Sequence, residues 1–296
     1  MSAGIGSDNS MSSMTPRHAY ADGEFGQIHY TSCGSGTPLI LLHWAPSNGR
    51  QYETLLPEFA AHGLQPIAVD IPGYGRSHKH AEGWSCGQLA AEIARALTDV
   101  GIEGGFALGG HLSAAIVAEM SIAEPRRWRR VVLDGSPTLS AEEMSRVMAH
   151  FAGLSPALAE SGSHRSFVWD MTERFLSEWD PDYAISETTL PTHYAYMADY
   201  LQMGFAPIRS FIEPARSKRG GLATYNAIER WPLIPVPVLA LTAEKEALRA
   251  GHPRAVSLLK DMQEHCFAGS HPLMDSARAA EYAAVVVQFL RAIESP

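Results

Sequence analysis

Cysteine is scarce. Cys33, Cys86 and Cys266 are the only three in 296 residues, too few for a disulfide scaffold and without the CxxC spacing of a zinc site. That suits a reducing compartment, and the expected location is cytoplasmic. Long apolar runs are missing too, since no window approaches the ~20 apolar residues a bilayer span needs, so no membrane partner is expected. Residues 1–16 lack the basic and then apolar order of a secretion signal, and are expected to be a flexible leader. Positive charge is also in short supply, with 23 Lys and Arg against 32 Asp and Glu and a net charge of −9. The one basic run, Arg126, Arg127, Arg129 and Arg130, reads as a solvated loop. Nucleic acid is therefore not an expected partner, because phosphate binding needs a clustered positive surface.

What is present is an ordinary globular balance, 46% hydrophobic and 19% charged, in a chain long enough for a full core. Arg17 to Ala21, the turn Asp22-Gly23 and Gln27 to Ser32 read as a hairpin. Pro38 to His43 contains Leu39-Ile40-Leu41-Leu42, the continuous apolar run of a strand buried on both faces. Helical and strand patterns then alternate: helix Arg50 to His62, strand Pro66 to Asp70, helix Gly87 to Val100, strand Phe106 to Gly109, helix Leu112 to Ile122 and strand Val131 to Asp134. The alternation resumes with strand Val236 to Leu241, helix Arg254 to Met262, strand Glu264 to Ala268 and helix Ser276 to Ile293. This order predicts an α/β fold with a mostly parallel central sheet, helices on both faces, and sites at the carboxyl ends of strands. Residues 17–135 and 233–296 form the expected core. Residues 136–232 break the rhythm, are largely helical and rich in aromatics, and are expected to be an inserted helical lid.

Chemistry concentrates where strands run into loops. Leu108-Gly109-Gly110-His111-Leu112-Ser113 lies between a strand and a helix, with small residues two positions either side of His111. This is the pattern of a nucleophile elbow, G-x-S-x-G, with histidine where serine is usual and Ser113 where glycine is usual. Its company is specific. His43-Trp44-Ala45-Pro46 resembles a His-Gly-x-Pro turn, Asp70-Ile71-Pro72-Gly73-Tyr74-Gly75-Arg76-Ser77 resembles D-x-P-G-x-G-x-S, and Phe267-Ala268-Gly269-Ser270-His271-Pro272 resembles a catalytic-histidine loop. Together these resemble the α/β-hydrolase superfamily over roughly Arg17 to Leu290. The elbow resembles a branch in which G-x-H-x-G accompanies a helical lid.

The resemblance implies a catalytic acid at Glu246, a histidine at His271, and an oxyanion hole formed by the backbone amides of Ala45 and Leu112. Glu246 is expected to hold Nδ1 of His271 and leave Nε2 facing the pocket; Glu244 and Asp134 are the alternative acids. For His111 three roles stand open: acid/base or nucleophile, a hydrogen-bonded relic, or a metal ligand with His271, for which no ligand-spacing motif is present. A displaced nucleophile at Ser113 is disfavoured because that side chain packs toward the sheet. His43 is expected to brace loops. His43, Trp44, Trp169, Tyr196 and Met197 are candidate pocket residues, and His164 and His193 are expected to be solvated. The expected activity is cofactor-independent and metal-free, on a small apolar or aromatic carbonyl compound. Hydrolysis without a serine acyl-enzyme comes first, with lyase, cyclase or cofactor-free oxygenase chemistry, or ligand binding alone, as alternatives.

Overall fold

The residues described in the computed structural model are 14–79, 84–135, 137–138, 140, 142–143, 162, 164–180, 182–203, 225–246 and 248–292. The hairpin is β1 (Arg17–Asp22) with β2 (Gln27–Ser32). After it come β3 (Thr37–Leu42), α1 (Leu55–Ala61), β4 (Leu64–Val69), α2 (Cys86–Asp99), β5 (Gly105–Gly110), α3 (Leu112–Ala123) and β6 (Trp128–Asp134). Helices α4 (His164–Trp179), α5 (Leu190–Met203) and α6 (Ala227–Arg230) precede β7 (Val238–Ala243), α7 (His252–Leu258), β8 (Met262–Phe267) and α8 (Ala279–Arg291). The eight strands form one sheet in the order β1-β2-β4-β3-β5-β6-β7-β8, antiparallel at β1/β2 and β2/β4 and parallel thereafter.

Alternation along β3 divides the core. Ile40 and Leu42 join the layer under α2 and α3, while Leu39 and Leu41 join the layer with Phe59 of α1 and Tyr282, Val286 and Phe289 of α8. Successive strand side chains point to opposite faces, so a central strand needs apolar residues at every position. Helix α2 begins on a capping box, in which the Ser85 hydroxyl accepts from the Gln88 amide and the Gln88 side chain accepts from the Ser85 amide. Its apolar stripe is Leu89, Ile93 and Leu97, all buried. Helix α3 is buried on nearly every side, as its apolar sequence demands.

Some element ends differ from expectation. The helix expected from Arg50 opens instead as a 3₁₀ turn, Gly49–Tyr52, capped by the Asn48 side chain. The helix expected to reach Met262 stops at Leu258, because Leu259 turns extended and lets β8 begin at Met262. Pro253 in the first turn sets the start of α7.

Between β6 and β7, α5 is fastened to the loop after β3. Asp199 accepts from Ser47 Oγ at 3.2 Å, Asn48 Nδ2 at 2.7 Å and Arg50 Nη2 at 2.7 Å. Among the described residues, no helix is long and apolar enough to cross a membrane.

Candidate active site

The carboxyl ends of β3, β5, β6, β7 and β8 lie side by side in the sheet, and each delivers a side chain to the same place. From β5 comes His111, whose backbone is held at φ 53° and ψ −113°. It is the only non-glycine residue at positive φ among those described. A β-carbon in that region crowds the following carbonyl and costs on the order of 1–3 kcal/mol, so the surroundings must hold it there. They do so by hydrogen bonds. His111 N donates to Asp134 O at 2.8 Å, and Ala114 N donates to His111 O at 3.1 Å. Ser113 is buried and fully engaged, its hydroxyl donating to Leu42 O at 2.6 Å and accepting from Gly110 N at 2.8 Å. It staples the elbow to β3, as its expected packing toward the sheet requires.

The carboxylates are distributed differently from the sequence expectation. Glu246 does not hold His271. Asp134, at the end of β6, does: His271 Nε2 lies 2.8 Å from Asp134 Oδ1, and Tyr282 Oη donates to Asp134 Oδ2 at 2.6 Å. The other ring nitrogen, Nδ1, accepts from Leu273 N at 3.2 Å. Nε2 therefore faces Asp134 rather than the pocket, and both nitrogens of His271 are engaged. His271 and Asp134 are wholly buried. Burial alone pulls the His271 pKa down, but the Asp134 charge and hydrogen bond outweigh it and hold the imidazole above its ordinary value. Burial likewise pushes Asp134 up, and His271 with the Tyr282 hydroxyl brings it below the carboxylate range.

Glu246 turns to the elbow instead. Its Oε2 accepts from Thr242 Oγ1 at 2.8 Å and Ala243 N at 3.1 Å, while Oε1 lies 3.5 Å from His111 Nε2. Burial pulls the pKa of His111 below that of a free histidine, and Glu246 opposes the shift without reversing it. Burial thus favours the neutral form of the imidazole that stands beside this buried carboxylate. Beneath this pair sits Gly135, at φ +64°, where an added methyl would lie 2.1 Å from Glu246 Oε1 and 2.4 Å from His111 Cδ2. A side chain at 135 would wedge the pair apart.

Trp44 caps the arrangement. Its ring stacks on His111 at 3.9 Å between centroids and 22° between planes, and meets His271 edge-on at 4.9 Å. Trp44 is fully buried and clusters with Phe175, Leu176 and Tyr196 from α4 and α5. Of the candidate pocket residues, Trp44 is thus brought onto His111, and Tyr196 joins the same apolar cluster as Trp44. Trp169 is not: it packs on His193 at 4.2 Å and on Tyr194. Met197 packs against the large core layer. His43 braces loops, Nδ1 donating to Trp44 O at 2.8 Å and Nε2 accepting from Ile71 N at 3.1 Å. Only a neutral ring makes both bonds, and burial lowers its pKa accordingly. Leu112 begins α3, where first-turn amides have no intrahelical acceptor, and Ala45 follows Trp44.

His193 corrects another expectation. It is buried, with Nδ1 3.0 Å from Tyr183 Oη; the side chain of His164 lies outside the described residues. The sequence reading missed Tyr282, Gly135 and the Leu273 amide. Asp-Gly directly after the β6 run was the one local signal for Gly135. Among the described residues no group of three or more His, Cys, Asp or Glu side chains is placed to hold a metal ion.

A sequence profile described as the alpha/beta hydrolase family matches residues 39–285. Bifunctional epoxide hydrolase 2 of Rattus norvegicus is 25% identical over 167 residues, 51% of this chain and 30% of the relative. Pimeloyl-[acyl-carrier protein] methyl ester esterase of Vibrio parahaemolyticus is 30% identical over 121 residues, 39% of this chain and 44% of the relative. The chain spans less than half the length of the curated relatives it matches. Among solved structures, a carboxylesterase from Bacillus subtilis superposes with a TM-score of 0.74 at 18% identity, covering 97% of this chain and 96% of that one. The enol-lactonase of Burkholderia xenovorans gives 0.72 at 14% identity, covering 92% and 99%.

Proposed function

Because the chain belongs to the alpha/beta hydrolase family, we propose that it hydrolyses a small carbonyl compound by proton transfer at His111, without an acyl-serine. The observation that carries this is the placement of His111: a non-glycine residue held at φ 53° on the elbow, with the buried Glu246 carboxylate 3.5 Å from its Nε2. Strained backbone with a charged partner is the arrangement that active sites keep and cores discard. Glu246 favours the tautomer with the proton on Nε2, so Nδ1 is the basic nitrogen. In the proposed step Nδ1 takes a proton from water as its oxygen adds to the carbonyl carbon. The amides of Ala45 and Leu112 receive the developing oxyanion, and collapse returns the proton to the leaving group. His271, tied at both nitrogens, acts through its charge balance with Asp134 and not as the base. Helices α4 and α5 serve as the lid, and the aromatic neighbourhood of Trp44 and Tyr196 suits an apolar or aromatic substrate. The proposed chemistry uses no cofactor. Relatives described as esterases and epoxide hydrolases support hydrolysis over the lyase and oxygenase alternatives.

A second reading, a pocket that binds without turnover, is favoured by the buried indole lying over His111. A panel of p-nitrophenyl and lactone substrates separates the two. Hydrolysis by the wild type, falling about 10²-fold or more in His111→Ala and rising with pH below the ordinary histidine pKa, supports the catalytic reading. His111→Ser is expected to be equally inactive, because both His271 nitrogens are already engaged, and a fluorophosphonate should label neither protein. Unchanged turnover in His111→Ala overturns the reading; ligand binding with no turnover of any panel member selects the second.

A further inference from the structure

The loop after β3 carries tryptophan where the resemblance expects glycine, and the strand β5 carries glycine beneath it. A methyl built on Gly110 would lie 1.7 Å from Trp44 Nε1 and 2.2 Å from Cδ1. No rearrangement smaller than moving the indole would admit it. The indole thus rests directly on the backbone of Gly110, one residue before His111, and its face lies over the imidazole at 3.9 Å. Two of the departures from the family pattern, at Trp44 and at His111, are in contact.

We infer that Trp44 is a positioning residue that raises the basicity of His111 and narrows the space over the elbow to small acyl groups, and that Gly110 provides its seat. The inference rests on the proposed role of His111 as the group that moves the proton. The physics is that of a cation over a π-face. An aromatic ring stacked on imidazole favours the protonated form, because the negative face of the quadrupole meets the positive charge. Every other charged group facing His111 is fixed: Glu246 after β7 and Asp134 at the end of β6 favour protonation, and His271 after β8 opposes it, while burial pulls hardest in the same direction as His271. Trp44 is a neutral neighbour stacked on His111, and its effect is separable by substitution. Its volume has the second consequence. With the indole wholly buried between the elbow and Phe175, Leu176 and Tyr196, a branched or aromatic acyl group has to displace it.

The test reads His111 directly. In ¹³C-labelled protein, the His111 ring resonance is assigned by its loss in His111→Gln and titrated with pH. Trp44→Leu should lower the protonation constant about threefold, the scale of one cation–π contact, and remove the upfield ring-current shift. Gly110→Ala should do the same without touching either ring, because it pushes the indole aside; a packing role alone would move the melting temperature and leave the titration in place. Trp44→Phe should fall between, and carries the test if the leucine variant does not fold. An unchanged His111 titration in a folded Trp44→Leu or Trp44→Phe protein overturns the inference. If the titration moves while neither wild type nor variants turn over any ester, the tuning stands and the hydrolase reading falls. If wild type hydrolyses acetates, Trp44→Gly should shift preference toward isobutyrate and benzoate esters, and no shift would sink the steric half.

Discussion

His271 and His111 stand on the same rim of the sheet, each beside a buried carboxylate, yet they are bonded in opposite ways. His271 touches Asp134 at 2.8 Å, has its second nitrogen on the Leu273 amide, and is sealed from solvent with Tyr282 closing the far side of the carboxylate. His111 stands 3.5 Å from Glu246, on a strained residue, under an aromatic ring. One pair resembles a saturated structural contact and the other a poised one. Short, saturated contacts hold a fold in one arrangement, whereas a longer contact leaves room for a proton to move.

The largest expected effect separates the pairs by stability. Asp134→Ala strands a buried imidazole and the Tyr282 hydroxyl, and should cost about 3–5 kcal/mol in urea denaturation. Glu246→Gln keeps shape and hydrogen bonding near Thr242 and should cost less than about 1.5 kcal/mol, while lowering any His111-dependent turnover. Equal losses would erase the distinction. Next in size is Gly135→Ala. The positive φ and the wedge between Glu246 and His111 should together cost about 1–2 kcal/mol, and the His111 titration should move toward that of Glu246→Gln.

The smallest effect, and the sharpest in sign, is the pH dependence of stability. His271 is raised in the folded protein, so its contribution is full below the unfolded histidine pKa and is lost as pH rises through the folded one. His111 is lowered, so the unfolded chain binds the proton more readily, and stability climbs as pH rises toward the unfolded value. Subtracting the His271→Gln profile from the wild type should leave a falling curve above about pH 6.5, and subtracting His111→Gln a rising curve below it. Slopes of the same sign would show that the two imidazoles do not differ as described.

Much of the scaffold was readable because its signals are local. The hairpin, the doubly buried β3, the elbow between β5 and α3, and Ser113 packed inward all follow from runs of a few residues. The pairing of carboxylates with imidazoles was not readable, although Asp134 stood among the alternative acids for His271. Asp134 and Glu246 end or follow adjacent parallel strands, each within reach of one ring or the other, and which carboxylate meets which imidazole depends on side-chain direction across the sheet rather than on order along the chain. The resemblance placed the acid at Glu246, and the geometry gives His271 to Asp134. His193 was misjudged for a related reason: whether a helical histidine faces solvent depends on what packs over it, here Trp169 and Tyr183. Gly135 looked like the start of a loop, and only the side chains converging beneath it explain why nothing larger stands there.

The carboxylate of Asp199 ties all this to access. Its three donors belong to Ser47, Asn48 and Arg50, a stretch that begins right behind Trp44-Ala45-Pro46. The clasp works in both directions: α5 is kept down by that stretch, and that stretch is kept in place by α5. On the proposed reading of α5 as part of a lid, a guest that lifted the helix would also slacken the loop that carries the indole and the Ala45 amide. On that reading, entry to the site and the shape of the site answer to one clasp, and the floor beneath the indole is complete only while α5 is seated.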